Sequence, residues 1–576
     1  MMRSLDSDTA RLWNPNWKNT LMNKHEIRIP RRLFLKSSGA GIGMFVAGRV
    51  PGSEANGQDI ELTDAHREAV ERRRRISVQY DAYNSLGGDF QQWIDYRFRY
   101  ADEPGSQIDG LWWDIGPTGS AEYSNPPAHP GLRQWCDQGI DVAGRLIEET
   151  KKRNLECFWN HRISEVDLNP TGSGAAWKSA AHPFKQKHPD WVLKTWWPHG
   201  LWNLAVPGVR KYTLGVLEQL AGKYDLDGIQ IDFARHVPCL PPGRQWELRR
   251  HVTDFMRSVR WMLLEVEKRR GRPFLLATKV PRCLEGCRVD GFDVEQWASE
   301  NLVDIFTLGS RSVEVDVAAY RRITADRNIK LQPCFDDHHT ADGYRYPPIE
   351  VFRGLFANWW QQGADSVATF NWSNAPPEIC RKIGCPEGPL SQRQAYHEIG
   401  SPETLALKDK TFVVERRGGY PWSEGYFNRN DTAPLPAPLA DSAAATIRIR
   451  IADDLKRLAD KLKQVSLRVV LFGAAEGDQF EVRLNGHVLG RAARDAQWKD
   501  PQIFSPKPQP ASGGSGDYKI NPAQKLLRLE YPIEPAACLV GENQVDVRVA
   551  RRAESRTAIA LEKLEVDVRY LPGPTA

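Results

Sequence analysis

Eight short apolar runs alternate with helical patterns between Ile76 and Trp372 and predict a closed (β/α)8 TIM barrel. After Asp441 the apolar period changes to two, which predicts an antiparallel β-sandwich of the jelly-roll type behind the barrel. A third observation selects the barrel over a doubly wound sheet. Such sheets often carry a glycine-rich phosphate turn after the first strand, and Ser85-Leu86-Gly87-Gly88 lacks that spacing.

Taken in order, the runs place strands over 76–83, 108–114, 155–160, 228–232, 274–279, 303–308, 330–335 and 366–371. Helical spacing of apolar residues places helices over 91–97, 132–153, 207–222, 244–270, 294–301, 313–326 and 349–362. The fourth unit is the clearest. Apolar Val209, Leu217, Leu220 and Ala221 share a helix that Pro207 opens, and a tight turn leads into Gly228-Ile229-Gln230-Ile231-Asp232. The run 72–75 of four arginines reads as a solvated face closing the preceding helix.

Residues 373–440 are rich in proline and poor in pattern, and read as a connection wrapping from barrel (56–372) to sandwich (441–572). Sandwich strands are expected over 445–451, 465–472, 480–484, 525–529, 544–549 and 561–570, with a turn at Asn485-Gly486. The Gly- and Ser-rich stretch 506–516 reads as a loop.

Composition narrows the partners. A formal charge of +5 on 576 residues, with no basic stripe interleaved with aromatics, gives no nucleic-acid footprint. The 20 tryptophans are many, and flat aromatic faces stack on sugar rings. Nine cysteines fit neither a dense disulfide scaffold nor a paired CxxC zinc site. Cys283 with Cys287, and Cys380 with Cys385, are close enough to close small loops in an oxidising compartment, with buried thiols as the alternative.

The N-terminal extension, residues 1–55, contains Arg31-Arg32 followed by Leu33-Phe34-Leu35-Lys36 and a glycine-interrupted apolar run. This resembles a twin-arginine export signal, with translation starting at Met1 or Met22, and implies a periplasmic or extracellular protein. The run is shorter than the ~20 residues of a membrane span, so no permanent span is expected.

In a barrel, chemistry sits at the C-terminal ends of the strands. Read in order, those ends offer Asp81 and Tyr83; Trp112, Trp113 and Asp114; Asn160, His161 and Arg162; and Asp232 and Arg235. Later strands add Lys279, Arg282 and Glu285, then Asp336, Asp337, His338 and His339, and finally Asn371 and Trp372. Glycoside hydrolysis needs two carboxyls, one protonated as acid and one ionised as nucleophile or base, kept apart in pKa by their environments. Asp232 is the candidate nucleophile or base, with Asp336 the first and Glu285 the second candidate acid. Trp112, Trp113 and Trp372 are candidates to stack on rings, and Asp114, His161, Arg235 and Asn371 to bond hydroxyls. Trp159, Trp196, Trp197 and Trp202 also fall in or beside loops. Asp336 to His339 admits a metal reading, but adjacent residues do not converge on one ion by themselves, and neither HExxH nor EF-hand spacing occurs. No metal or other cofactor is assigned.

His188-Pro189-Asp190-Trp191, Pro207-Gly208-Val209-Arg210 and the stretch from Tyr224 to Arg235 with Asp227-Gly228-Ile229 resemble the glycosyl-hydrolase-like family ten barrels. The likeness covers residues 76–372 and implies an extracellular polysaccharide hydrolase that uses the fourth-strand acid, here Asp232. Strand five departs from sugar-hydrolysing barrels that place a Glu there, because it ends Lys279-Val280-Pro281-Arg282. The C-terminal region resembles the galactose-binding-like jelly rolls appended to many glycoside hydrolases. The rival readings are a non-catalytic glycan-binding barrel and a metal-dependent hydrolase. The sugar, its linkage and the oligomeric state are not legible.

Overall fold

The computed structural model describes residues 60–81, 87–114, 130–164, 183–195, 199–309, 312–337, 343–372, 375–416, 433–440, 443–503, 525–553 and 558–572. Residues 57–576 form one compact unit, and the Arg31-Arg32 motif lies outside the described residues.

Eight parallel strands close into a barrel: β1 (Ile76–Asp81), β2 (Ile108–Asp114), β3 (Glu156–Arg162), β4 (Gly228–Asp232), β5 (Leu275–Val280), β6 (Ile305–Leu308), β7 (Lys330–Phe335) and β8 (Val367–Phe370). Each expected strand is present. Closure pairs β1 with both β8 and β2, so Gln79 lies opposite Phe370 on one side and Trp112 on the other. The predicted helix over 132–153 is two helices, Pro130–Asp137 and Val142–Lys152, because Gly139 takes the left-handed conformation at φ 79° and turns the chain.

Strand period two sorts the barrel's side chains. One set packs outward against the helices: Tyr80 stacks on Trp113 at 5.4 Å, and Trp159 on Tyr224 at 5.8 Å. The other fills the axis in layers. At the bottom, Trp112 lies flat on Phe158 at 4.3 Å, joined by Leu275, Ala277 and Ile305 and covered by Val70 of the helix Asp64–Glu71. Gly228 fits this layer for a steric reason, since a Cβ there would stand 2.5 Å from the Leu275 carbonyl oxygen and 2.6 Å from the Phe158 ring. Above it runs an amide chain. Gln230 donates to Thr307 Oγ1 at 2.6 Å, Thr307 to Gln332 Oε1 at 3.2 Å, and Gln332 to Ser77 and Ser366.

The 72–75 arginine run is only partly solvated. Arg74 is buried and pairs with Glu156 at 2.7 Å, and Arg75 pairs with Asp109 at 2.7 Å, fastening the start of β1 to β3 and β2. A long aliphatic stem on a guanidinium serves either a surface or a buried carboxylate, and only the fold supplies the partner.

The C-terminal part is a two-sheet sandwich. Its strands are β9 (Lys410–Val413), β10 (Ala437–Leu439), β11 (Ala445–Ile451), β12 (Leu462–Phe472), β13 (Gln479–Leu484), β14 (His487–Val488), β15 (Ala493–Asp495), β16 (Leu526–Pro532), β17 (Gly541–Arg551) and β18 (Ile559–Tyr570). One sheet runs β9-β18-β12-β16-β15, with β10 also on β18, and the other runs β11-β17-β13-β14. Strand β9 falls inside the stretch read as connection, so the sandwich begins earlier than its sequence pattern does. Helix Ile349–Gln361 lies against β9 so closely that a Cβ on Gly354 would meet the Thr411 carbonyl oxygen at 2.3 Å. The main hydrophobic core runs without a break from the barrel's outer face into the sandwich.

All nine cysteines are free thiols. Cys287 Sγ instead lies 2.9 Å from the Tyr320 hydroxyl, and Cys385 accepts from Gln502 at 2.9 Å. Among the described residues no helix is long and apolar enough to cross a membrane.

Candidate active site

The inward-facing set ends at the C-terminal mouth in a layer of charge: Asp81 and Asp114 side by side on β1 and β2, Arg162 on β3, Asp232 on β4, Lys279 on β5, and Asp336 just past β7. The Arg162 guanidinium bridges two of them, pairing with Asp81 and with Asp114 at 2.5 Å. Asp81 is held from the other side by Asn371, which donates to its Oδ2 at 2.8 Å and accepts its backbone N–H at 2.8 Å. Asn371 does this from the left-handed region, φ 57°, where asparagine is among the better-tolerated residues.

Asp232 is buried, and both its oxygens are engaged. Oδ1 accepts the backbone N–H groups of Ala234 and Arg235, each at 3.0 Å, and Oδ2 faces the Lys279 ammonium at 3.8 Å. Lys279 also sits 4.5 Å from the centre of the Phe370 ring, while the guanidinium carbons of Arg162 and Arg235 each lie 6.0 Å from it. Three cations gathered around one buried aromatic exploit the negative face of its quadrupole. The sequence gives no signal for Phe370, because an apolar residue ending a barrel strand carries no mark of its neighbours.

Asp114 carries the electrostatic signature of the site. Burial pushes its carboxyl up to about 7; Arg162 opposes that, and the Asp81 and Asp232 carboxylates reinforce it. It can hold a proton near neutrality beside a second carboxyl, which is the separation of roles that acid–base pairs require. Asp336 is fully buried, and its neighbour Asp337 is raised well above the usual carboxylate range by burial, even though Gln392 donates to it at 2.7 Å.

Several sequence expectations are corrected. Trp112 is the flat floor of the barrel interior, wholly buried on Phe158. Trp113 faces outward, fully buried, donating to Thr150 Oγ1 at 2.9 Å. Trp372 is enclosed by Phe335, Phe352, Phe356 and Tyr396 and donates to the Phe335 carbonyl at 3.0 Å. None of the three offers a ring face to a sugar. His161 shares the strand face of Cys157 and Trp159, opposite Asn160 and Arg162, and burial drives its imidazole down to about 4, so it stays neutral outside the mouth. Glu285 is exposed in the first turn of the helix Leu284–Asp290, apart from the buried carboxylates. Arg235 and Asn371 do reach the cluster. Tyr83, Trp196, Trp197, His338 and His339 lie outside the described residues, among which no group of three or more metal-ligating side chains occurs.

Fold and site together define a closed parallel barrel with a carboxylate-rich C-terminal mouth. Residues 104–240 match the family model of glycosyl hydrolase-like 10, a segment running from just before β2 to just past β4 and its Asp232. A curated relative, glycosyl hydrolase YngK of Bacillus subtilis (strain 168), is 31% identical over 124 residues, 20% of this chain and 23% of that protein. The chain thus matches about a quarter of that relative's length. Among solved structures, the glycoside hydrolase domain of PgaB (BpsB) from Bordetella bronchiseptica aligns over 57% of this chain and 99% of its own, at 12% identity and a TM-score of 0.36. The α-L-fucosidase isoenzyme 2 of Paenibacillus thiaminolyticus aligns over 59% and 51%, at 13% identity and a TM-score of 0.36.

Proposed function

We propose that the chain is a glycoside hydrolase acting on an oligo- or polysaccharide, with Asp232 as nucleophile or base and Asp114 as the proton donor. The observation that carries this reading is the buried cluster at the barrel mouth. It contains a carboxyl poised near pH 7 and, on β4 within the family-matched segment, a second carboxyl faced by a cation. In this scheme Asp114 protonates the leaving oxygen, and Asp232 attacks the anomeric carbon or activates water. Arg162 and Asn371 orient Asp81 and Asp114, and Lys279 fixes Asp232. Asp336 stands as the second candidate acid. The twin-arginine-like motif at Arg31-Arg32 supports export to a compartment where such polymers occur.

The test is a polysaccharide-panel assay on the full chain and on Asp232→Asn. Turnover of at least one glycan by the parent, lost in the folded variant, supports the reading. A second reading draws on the capping of Asp232 Oδ1 by two backbone N–H groups, an arrangement that also serves a purely structural aspartate. On that reading the barrel binds glycan without cleaving it, and the same panel gives binding with no product in parent and variant alike.

A further inference from the structure

A cavity of about 460 Å³ lies where the rim of the barrel meets the sandwich. Its walls come from the segments after β5 and β6, from the helix Ile349–Gln361 with Gln362, and from β11 of the sandwich; no residue of the Asp232 cluster lines it. The volume falls in the range of about 300–1,000 Å³ typical of small-molecule sites.

The lining is balanced in charge. Arg282, Arg448 and Arg450 stand against Glu314, Asp316 and Glu542, and at the exposed side Arg448 pairs with Glu542 at 3.2 Å. Such a wall carries no formal net charge to favour an ionic ligand, whereas a neutral ligand that both donates and accepts hydrogen bonds finds partners of each kind. Leu355, Val413 and Ile449 supply an apolar face beside them.

The amides add a second, independent observation. Asn358 donates to the Arg450 carbonyl at 3.0 Å and Gln362 to the Asn358 carbonyl at 3.1 Å, which engages one N–H of each amide. The oxygens, Asn358 Oδ1 and Gln362 Oε1, accept nothing among the described residues although shielded from bulk water. Terminal amide torsions are broad, so a modest rotation turns either oxygen to a hydroxyl donor. Acceptors in search of donors, guanidinium donors and an apolar face match the hydroxyls and the C–H face of a sugar ring.

We propose that this junction cavity binds a neutral mono- or disaccharide, at a site separate from the barrel mouth. The proposal goes beyond the hydrolase reading and stands without it. It is tested by isothermal titration of full-length Asp232→Asn protein with glucose, galactose, N-acetylglucosamine and cellobiose, with glucuronate and glucose 6-phosphate as charged comparators. At least one neutral sugar is expected to bind, and the anions no better. Gln362→Met, which removes the oxygen at similar length, and Thr446→Trp, which adds bulk at an exposed lining position of β11, should each weaken binding by about tenfold or more. Absence of binding by all four sugars, binding untouched by Thr446→Trp, or tighter binding of the anions overturns the proposal. The readout is binding in a chain altered at Asp232, so failure here is distinct from failure of the hydrolase assay. If Gln362→Met lowers the melting temperature, Thr446→Trp decides.

Discussion

Asp114 and Asp232 occupy neighbouring parts of one buried layer, yet their surroundings differ. Asp232 meets two N–H donors and an ammonium; Asp114, pushed up first by burial, meets the pull of the Arg162 and Arg235 guanidinium groups and the repulsion of two other carboxylates. For Asp232→Asn, turnover is expected to fall by roughly 10³- to 10⁶-fold in a folded protein, about 4–8 kcal/mol in the barrier, measured as kcat/KM with circular dichroism as the check on folding. For Asp114 the expectation is a pH profile. An acid with its carboxyl near 7 must be protonated to act, so activity should decline as pH rises through about 7, and Asp114→Asn should remove that limb. The same variant should retain more activity toward substrates with activated leaving groups, which need little protonation; a parent profile flat through neutrality would point to Asp336 instead. Trp372 lies on the other side of the ledger of roles. Trp372→Ala should destabilise the fold by about 3–5 kcal/mol through the cavity it leaves, seen as a lower urea midpoint.

At the scale of elements, the helix Asp64–Glu71 is tied to the bottom of the barrel by His66. Its ring nitrogens lie 2.6 Å from Glu267 and 3.0 Å from Asp304, which is also paired with Arg260 at 2.8 Å. Burial pulls the imidazole down, but Asp304 and Glu267 outweigh it and raise the group from 6.5 to about 9. A raised folded value means that the stabilisation is fully present below about 6.5 and is lost as pH rises through about 9. Asp304 and Glu267 are both held below the usual carboxylate range, despite burial, chiefly by Arg260 and His66 for Asp304 and by His66 for Glu267. Their contribution is therefore present above their unfolded values and lost as pH falls. His66→Gln should flatten the alkaline limb of a stability-versus-pH curve measured by urea titration, by at most about 3 kcal/mol. An unchanged limb would remove His66 from that role.

At the scale of the whole molecule, barrel and sandwich share more than a chain crossing. Glu415 accepts the N–H groups of Val313 and Glu314 at 2.7 and 3.0 Å, Tyr344 donates to Glu565 at 3.1 Å, and Lys563 donates to the Gly343 carbonyl at 2.8 Å. Strand β9, packed on the barrel helix Ile349–Gln361, takes its one strand partner among the described residues from β18, near the C-terminus. A chain ending near Pro438 would strip β9 of that partner and bare Phe412 and Val414. It should therefore lack a cooperative melt, even though the proposed chemistry resides wholly in the barrel. The full chain should unfold in a single calorimetric transition, because one core spans both parts; two resolved transitions would contradict that coupling.

Local pattern determined much of this. Alternating apolar runs located all eight barrel strands, since strands buried on both faces read as apolar whatever surrounds them. The same rule that puts chemistry at strand ends assembles Asp81, Asp114, Arg162, Asp232, Lys279 and Asp336 from the sequence alone. What local pattern lacks is the direction in which a strand-end side chain points and what it meets there. Trp113 and His161 look the same in sequence whether they face the axis or the helices, and one residue of register decides. Trp372 turned to core because the aromatics of the helix Ile349–Gln361 surround it, contacts made across the fold. Phe370 gained three cations only when β3, β4 and β5 closed around it. Apolar period is a property of neighbours in the chain; charge environment, burial and the start of the sandwich at β9 are properties of neighbours in space, and these the tertiary structure alone decided.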